Sequence, residues 1–243
     1  MAGIGCRTGA RPIIIANECF ENMMSGIGVR SKAKALIVDN RCVENKQVAI
    51  GVVQGSNAYI VRNVLERTGG MPPMVAIRDD SSALLLDNTL TGGGVAGVLV
   101  QGTATILDNH FKGNGPRRGP GPPNFGVWIQ AGSTVTFCGN RTERWRHALF
   151  ASGAKRVYAI DNTAVRFLDA AIVVEKSERP AHVFGNVAES TNEQERAARV
   201  DGPRGVVAEN RCVRTQEAVH RPAGQTDRGR ERPDSPHDRH IRD

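Results

Sequence analysis

The chain has 243 residues, of which 40% are hydrophobic, and its formal net charge is +7. It has no apolar run near the ~20 residues that a membrane-spanning helix needs, so the sequence predicts no such span. The first residues, MAGIGCRTGARPIII, lack the positively charged and then apolar regions of a secretory signal peptide.

Asparagine recurs at a nearly constant interval along the chain. The residues are Asn17, Asn40, Asn63, Asn88, Asn109, Asn140, Asn162, Asn186 and Asn210. Their spacings are 23, 23, 25, 21, 31, 22, 24 and 24 residues. A period in the low twenties predicts a solenoid, in which each coil buries its apolar face only against its neighbours. The chain is therefore expected to be one domain of about nine coils.

The residues around each asparagine follow the period-two spacing of strands. In the second repeat, Ala35 lies five positions before Asn40, Ile37 lies three before it and Cys42 lies two after it. Equivalent positions in the other repeats are mostly small, β-branched or apolar. We expect each asparagine to mark the turn between two strands, and the stacked amides to form a hydrogen-bonded ladder.

Another strand is predicted earlier in each coil. Its inward residues would be Val29, Val53, Ile77, Val100, Ile129, Ala151, Val174 and Val200. The inward residues two positions before these would be Ile27, Gly51, Val75, Val98, Val127, Leu149, Ile172 and Ala198. Turn residues such as 55–57 and 79–82 follow this strand.

Two solenoid classes have this period. A leucine-rich repeat also has an asparagine flanked by apolar positions, but here the position five before it is mostly alanine and no helical stripe follows. The chain resembles the right-handed parallel β-helix superfamily of pectate-lyase-like proteins over residues 11–220. The resemblance implies an all-β, right-handed parallel β-helix of about nine coils, preceded by a lead-in of residues 1–10. It also implies an extracellular or periplasmic location. Residues 221–243 are almost free of apolar residues and are predicted to be a disordered charged tail.

The first coil begins almost at Met1, with no capping helix before it. Parallel β-helices usually need the open edge of the first coil to be covered. We therefore expect either that a leader and a cap precede this start, or that a partner or self-association covers the coil.

Two outward rows of the earlier strand point to a binding face. One row is apolar at its centre, with Trp128 and Phe150 on neighbouring coils, and the other is rich in glutamine and arginine. Aromatic faces beside amide and guanidinium donors suit sugars. In the resembled superfamily this sheet carries the saccharide groove. The predicted substrate-binding residues are Trp128, Phe150, Gln101, Gln130, Arg78 and Gln54.

Two loops support this placement. The longest insertion, residues 113–124, leads directly into the strand of Trp128, and a smaller loop, residues 68–73, occupies the same place two coils earlier. Loops that grow on one side of a solenoid usually line its binding face. The alternative is that proline and glycine merely end strand pairing, and that Trp128 packs under its own loop.

No catalytic residue is assigned. The acids on this face are Asp79, Asp80, Glu175 and Asp201, and the first two are consecutive turn residues. The Gly-His-Gly and Arg-x-Lys motifs of polygalacturonase-like members and the Asp-Pro-His motif of mannuronan epimerases are absent. If the protein is an enzyme, the resemblance implies a polysaccharide lyase or a glycoside hydrolase.

No cofactor or metal is predicted. The five cysteines lack CxxC spacing and are interpreted as small core residues. A row of aspartates before the asparagines is interpreted as solvated turns rather than as a calcium ladder. These are Asp39, Asp87, Asp108 and Asp161.

The expected partner is a polysaccharide, with no specific nucleic acid, because acidic residues are interspersed in the basic tail. The alternative function is a non-catalytic structural or adhesive scaffold, as in spike-like proteins. It depends on the residues two before each asparagine, which are Val38, Val61, Leu86, Leu107, Cys138, Ile160 and Phe184. If they point outward, they form an apolar stripe that needs a partner or self-association. A local twist that turns them inward is the preferred interpretation.

Overall fold

The computed structural model describes residues 1–119, 122, 124–203 and 205–214. Within these residues the chain forms 27 strands, β1–β27 in chain order, which repeat as three strands per coil. The three strands of a coil belong to three separate nine-stranded sheets, in which each strand pairs in parallel with the strands of the neighbouring coils. Coil 1 contains β1–β3 and coil 9 contains β25–β27. This confirms an all-β parallel β-helix of about nine coils.

Sheet 1 contains β1 (Ile4–Cys6), β4 (Ile27–Val29), β7 (Ile50–Val52), β10 (Val75–Ile77), β13 (Ala96–Val100), β16 (Phe125–Ile129), β19 (His147–Ser152), β22 (Ala170–Glu175) and β25 (Arg196–Asp201). Sheet 2 contains β2 (Ile13–Ile15), β5 (Lys34–Val38), β8 (Asn57–Val61), β11 (Ser82–Leu86), β14 (Thr103–Leu107), β17 (Thr134–Cys138), β20 (Arg156–Ile160), β23 (His182–Phe184) and β26 (Val206–Ala208). Sheet 3 contains β3 (Glu18–Phe20), β6 (Arg41–Val43), β9 (Val64–Arg67), β12 (Thr89–Gly92), β15 (His110–Gly113), β18 (Arg141–Glu143), β21 (Thr163–Val165), β24 (Val187–Ser190) and β27 (Arg211–Arg214).

The asparagine ladder is confirmed. Asn88 is typical: its Nδ2 donates to Asn109 Oδ1 at 2.9 Å, and its Oδ1 accepts from Asn63 Nδ2 at 3.0 Å. Asn88 Nδ2 also donates to the carbonyls of Ile60 and Leu86, at 2.8 Å and 3.1 Å. Asn88 is only 1% exposed, so the ladder satisfies the polar groups of a turn that water does not reach.

The predicted register of sheet 1 was wrong by one residue in coil 3. Val29 pairs with Val52, and Gly28 pairs with Gly51, so the inward residues of β7 are Ile50 and Val52 rather than Gly51 and Val53. The physical reason is burial. Both apolar side chains are fully buried in this register, whereas the predicted one would have turned Ile50 outward.

The apolar stripe also differs from the preferred interpretation. Sheet 2 alternates strictly, so that Ala35 and Ile37 are buried whereas Val38 is outward and half-buried. The same pattern holds in β8, β11, β14, β17 and β20. No twist turns the stripe inward there, because the parallel pairing keeps every coil in the same register.

Cys19 and Cys42 pair in register on sheet 3 and are buried as free thiols, as expected of core residues. Burial and, to a lesser extent, the neighbouring Cys19 together raise the pKa of the Cys42 thiol to about 12.

The first strand, Ile4–Cys6, lies inside the stretch 1–10 that was assigned to a lead-in, so the first coil starts earlier than the sequence pattern indicated. The proposed tail, residues 221–243, lies outside the described residues. Right-handed coiling stays a prediction of the resemblance. Among the described residues, no helix has the length and apolar character needed to cross a membrane.

Candidate functional site

Trp128 and Phe150 lie side by side on the outer face of sheet 1, as predicted. The structure adds Phe125 and His147 to them. Phe125 stacks on Phe150 with ring centroids 4.7 Å apart, and it meets Trp128 edge-on at 5.9 Å. His147 stacks on Phe125 at 5.4 Å. Because Phe125 covers one face of Phe150, the four rings pack mainly against one another and form an aromatic cluster on coils 6 and 7.

The two predicted loops lie on the same side of the solenoid and touch. The insertion separates β15 from β16, and the smaller loop separates β9 from β10. Asn114 Nδ2 donates to the carbonyl of Thr68 at 2.7 Å, which joins the loops. Trp128 remains half-buried.

The buried histidine of the aromatic cluster predicts a pH effect. Burial lowers the pKa of His147, although its Nδ1–H donates to the carbonyl of Ala170 at 2.7 Å, which opposes the shift. The unfolded chain therefore takes up this proton more readily than the folded protein does, and stability falls as the pH drops through about 6.5. We expect urea unfolding to show lower stability at about pH 5.5 than at about pH 7.5. His147→Asn, which keeps a donor but does not titrate, should reduce this difference; an unchanged difference would contradict the assignment.

The polar row of sheet 1 is present. Each member follows a sheet 1 strand directly or ends it, and the row reads Arg7, Arg30, Val53, Arg78, Gln101, Gln130, Ser152, Glu175 and Asp201. Gln101 donates a side-chain hydrogen bond to Gln130, so the structure brings these two predicted residues together. The row changes from basic in coils 1–4 to acidic in coils 8 and 9.

Gln54 is not in this row. Because the predicted register of coil 3 was wrong by one residue, Val53 occupies the position in the row that was assigned to Gln54. Gln54 lies one position later in the turn, at a φ of 58°, and its Oε1 accepts a hydrogen bond from the Ser31 hydroxyl at 3.0 Å. Its predicted place in the polar row was therefore wrong.

A groove lies on sheet 1 beside the predicted site, along coils 1–4, with a volume of about 540 Å³. Its floor is the outward column Gly5, Gly28, Gly51 and Ala76, which are register partners. One wall consists of loop residues that precede the strands, namely Met24, Ser25, Gln47 and Val48. The other wall consists of Arg7, Arg30, Val53 and Arg78. The groove exists because three successive coils have no side chain on the column that carries Trp128 and Phe150 further along.

The three arginines of the wall are exposed, and none forms an ion pair with another described residue. Their backbones are held in line by the parallel pairing of β1, β4, β7 and β10. Neighbouring coils are about 4.8 Å apart, so Arg7 and Arg30 present adjacent positive charges to the groove. Guanidinium groups in such a row can bind carboxylates through two parallel hydrogen bonds each.

The sequence analysis missed the groove and Arg7. Arg30 belonged to the predicted polar row but was not among the predicted binding residues, which included Arg78. A signal was present: glycine at positions 5, 28 and 51 keeps the 23-residue spacing, and an arginine follows the first two glycines by two residues.

A second, short ladder was also missed. Asn22 Nδ2 donates to Asn45 Oδ1 at 2.8 Å, and the Arg67 guanidinium donates to the carbonyls of Asn45 and Gln47.

This second ladder supports the loop wall. Burial lowers the pKa of the Arg67 guanidinium, which nevertheless satisfies carbonyls in the loop that carries Gln47. The loop is thereby fixed beside the glycine floor, so that the wall is held from inside the solenoid as well as by strand pairing.

Among the described residues, no group of three or more histidine, cysteine, aspartate or glutamate side chains is arranged to hold a metal ion. The aspartate row before the ladder is exposed, and Asp39 forms an ion pair with Arg62 at 2.8 Å. That contact holds the pKa of the Asp39 carboxyl below its usual value through hydrogen bonding from Arg62.

No protein-family model, curated protein or solved structure matches this chain. What the structure shows is a parallel β-helix with an asparagine ladder. The pectate-lyase-like superfamily and the function it implies stay a proposal.

Proposed function

We propose that the protein binds an anionic polysaccharide along the outer face of sheet 1. The observation that carries the proposal is the glycine-floored groove with Arg7, Arg30 and Arg78 along one wall. A floor without side chains lets a sugar ring approach the backbone closely, and the arginines supply charge-assisted hydrogen bonds to a uronate or a sulfate. A volume of about 540 Å³ lies within the usual range of ligand sites.

Gln101 and Gln130 extend the arginine row by two coils toward the aromatic cluster, so a bound polymer would meet amide groups there that can bond hydroxyls. Beyond them, Glu175 and Asp201 would repel a polyanion. The charge change along the row therefore favours a ligand on coils 1–6. Trp128, at the edge of the aromatic cluster, would contact the end of such a ligand.

The proposed activity is binding rather than cleavage. Glycoside hydrolysis needs two carboxyl groups, one as acid and one as base or nucleophile. None of the residues that line the groove is an aspartate or a glutamate. The wall instead presents cations, which hold an anionic ligand in place.

Isothermal titration with oligouronates, and with neutral oligosaccharides of equal length, tests the proposal. We expect Arg30→Ala to weaken uronate binding by about 10- to 100-fold, because one charge-assisted interaction is lost. The matched control is Arg211→Ala, which removes an exposed arginine from the outer face of sheet 3 and should leave binding unchanged. Gly5→Phe should block the groove without strain, since a Cβ at Gly5 meets nothing within 4 Å.

Added salt should weaken uronate binding by wild-type protein, as expected for exposed charges. Equal binding of neutral and acidic sugars, or unchanged affinity in both Arg30→Ala and Gly5→Phe, would disprove the groove. Trp128→Ala measures whether the ligand reaches coil 6.

A further inference from the structure

The outer face of sheet 2 carries two largely apolar columns beside a polar one, and it is distinct from the groove. Its central column contains Ile13, Leu36, Tyr59, Leu84, Thr105, Thr136, Tyr158, His182 and Val206. The column two residues later contains Ile15, Val38, Val61, Leu86, Leu107, Cys138, Ile160, Phe184 and Ala208. In coils 1–4 every member of both columns is aliphatic or tyrosine.

Several of these side chains are open to solvent. Ile13 is 69% exposed, Ile15 is 57% exposed and Tyr59 is 53% exposed, and they lie within three successive coils. Single exposed apolar residues are ordinary, but a contiguous apolar face of this kind marks an interaction surface.

Charges flank the apolar columns asymmetrically. The edge where sheet 2 turns into sheet 3 is mainly acidic: it carries Asp39, Asp87, Asp108 and Asp161, and also Arg62, which forms an ion pair with Asp39. The opposite edge, where sheet 1 turns into sheet 2, carries the bases Lys34 in β5 and Arg156 in β20, together with Asp79 and Asp80 in the turn before β11. In coil 7, Arg156 and Asp161 lie five residues apart at opposite edges of one strand, about 16 Å from each other, too far to pair within the chain.

We propose that sheet 2 is a homodimer interface, in which its outer face packs against the same face of a second copy about a twofold axis parallel to the solenoid. This operation keeps the two rods parallel and sets equal coils opposite each other, with their strands reversed. The basic edge of one copy then faces the acidic edge of its partner, so that Arg156 of each copy lies opposite Asp161 of the other.

A twofold axis across the rods would instead set like edges opposite each other and would leave Arg156 without Asp161 opposite it, so this pair favours the parallel arrangement. The area is also sufficient. Nine strands about 4.8 Å apart and five residues of about 3.3 Å each give a face of about 40 by 16 Å, which would bury about 1,300 Å² in a pair. Stable interfaces bury about 1,200–2,000 Å².

A second copy fits this face better than the chain's own C-terminal residues. Residues 215–243 read TQEAVHRPAGQTDRGRERPDSPHDRHIRD, mostly charged and polar residues with glycine and proline. Such a segment has few apolar side chains with which to cover two apolar columns. A second sheet 2 face supplies the same columns in the same arrangement.

Analytical ultracentrifugation of the full chain tests the proposal. We expect a dimer for the wild type, and a dimer dissociation constant about 30-fold higher for Tyr59→Glu, as for loss of a central aromatic anchor. The matched control is Val64→Glu, which changes a half-buried outward residue of the same coil on sheet 3. It should remain dimeric, and circular dichroism should show both variants folded. A monomeric or trimeric wild type, or a fully dimeric Tyr59→Glu protein, would overturn the interface.

A charge exchange tests the axis even if Tyr59→Glu fails to fold. Arg156→Asp should weaken the dimer by about tenfold, because like charges then face each other. Adding Asp161→Arg should restore most of the affinity if the two positions meet across the axis. Arginine is tolerated at that place, since Arg62 occupies the same column at a φ of 52°. Failure of the double change to restore dimerisation would rule out the parallel arrangement.

Discussion

Asn88→Ala is expected to lower the free energy of unfolding by about 3–5 kcal/mol, because it leaves two or three buried polar groups without partners. Asn88 Oδ1 accepts from both the backbone N–H and the side-chain amide of Asn63. Its own amide satisfies the carbonyls of Ile60 and Leu86. Water cannot replace these contacts, since the turn is buried. Urea unfolding followed by circular dichroism measures the loss.

The control for Asn88→Ala is Asn17→Ala, in the first coil of the same ladder. Asn17 is half-buried, and among the described residues no group donates to its Oδ1. We expect a loss of about 1 kcal/mol or less, because the groups left behind are reached by solvent. Equal losses for the two variants would mean that the ladder contributes through side-chain packing rather than through satisfied hydrogen bonds.

Phe137→Ala should lower the free energy of unfolding by a similar amount, but for a different reason. Phe137 is fully buried, and its ring lies 6.1 Å from that of Phe111, between sheets 2 and 3. Removing a buried phenylalanine ring costs about 3–5 kcal/mol, through lost burial and through the cavity that remains. Because each coil is stabilised only by its neighbours, the loss of stability should be largest in coils 5–7. Hydrogen exchange, compared with the wild type, should increase more in β14, β17 and β20 than in β5.

Thr136→Ala is the matched control for Phe137→Ala. It changes the adjacent residue of the same strand, which points outward and is half-buried. Surface changes of this kind usually alter stability by no more than about 0.5 kcal/mol. If both variants lost similar stability, the alternation of buried and exposed residues along β17 would be contradicted.

The two proposed surfaces are separable because they lie on different sheets. Variants of Arg30 and Gly5 alter the groove of sheet 1, whereas variants of Tyr59 and Arg156 alter the outer face of sheet 2. A dimer would place two grooves on one particle and thereby increase the apparent affinity for a long polymer. Loss of dimerisation should therefore reduce binding to a polysaccharide more than binding to a short oligosaccharide.

The fold could be predicted from the sequence because each coil repeats the same local pattern. The spacing of the asparagines and the inward apolar positions of sheets 2 and 3 were sufficient for nine parallel coils. The single register error, at Ile50 and Val52, arose where Gly51 and Val53 offered a second period-two series of small and β-branched residues. Only pairing with β4 decides between the two series, since one step of register exchanges the inward and outward faces.

The candidate site was less predictable. The outward positions of Trp128, Phe150, Gln101, Gln130 and Arg78 follow from strand alternation, which is a local property. The stacking of Phe125 and His147 on that pair does not, because it depends on where the chain re-enters sheet 1 after the loops.

The sequence by itself determined the solenoid, its ladder and most of the outward residues of sheet 1, because a repeat of about 23 residues places the same residue types at the same positions of every coil. Only the tertiary structure decided which part of that sheet is hollow and which is filled. A groove is the absence of side chains on neighbouring coils together with walls from distant loops, and the depth of such a hollow becomes defined only when the coils are stacked.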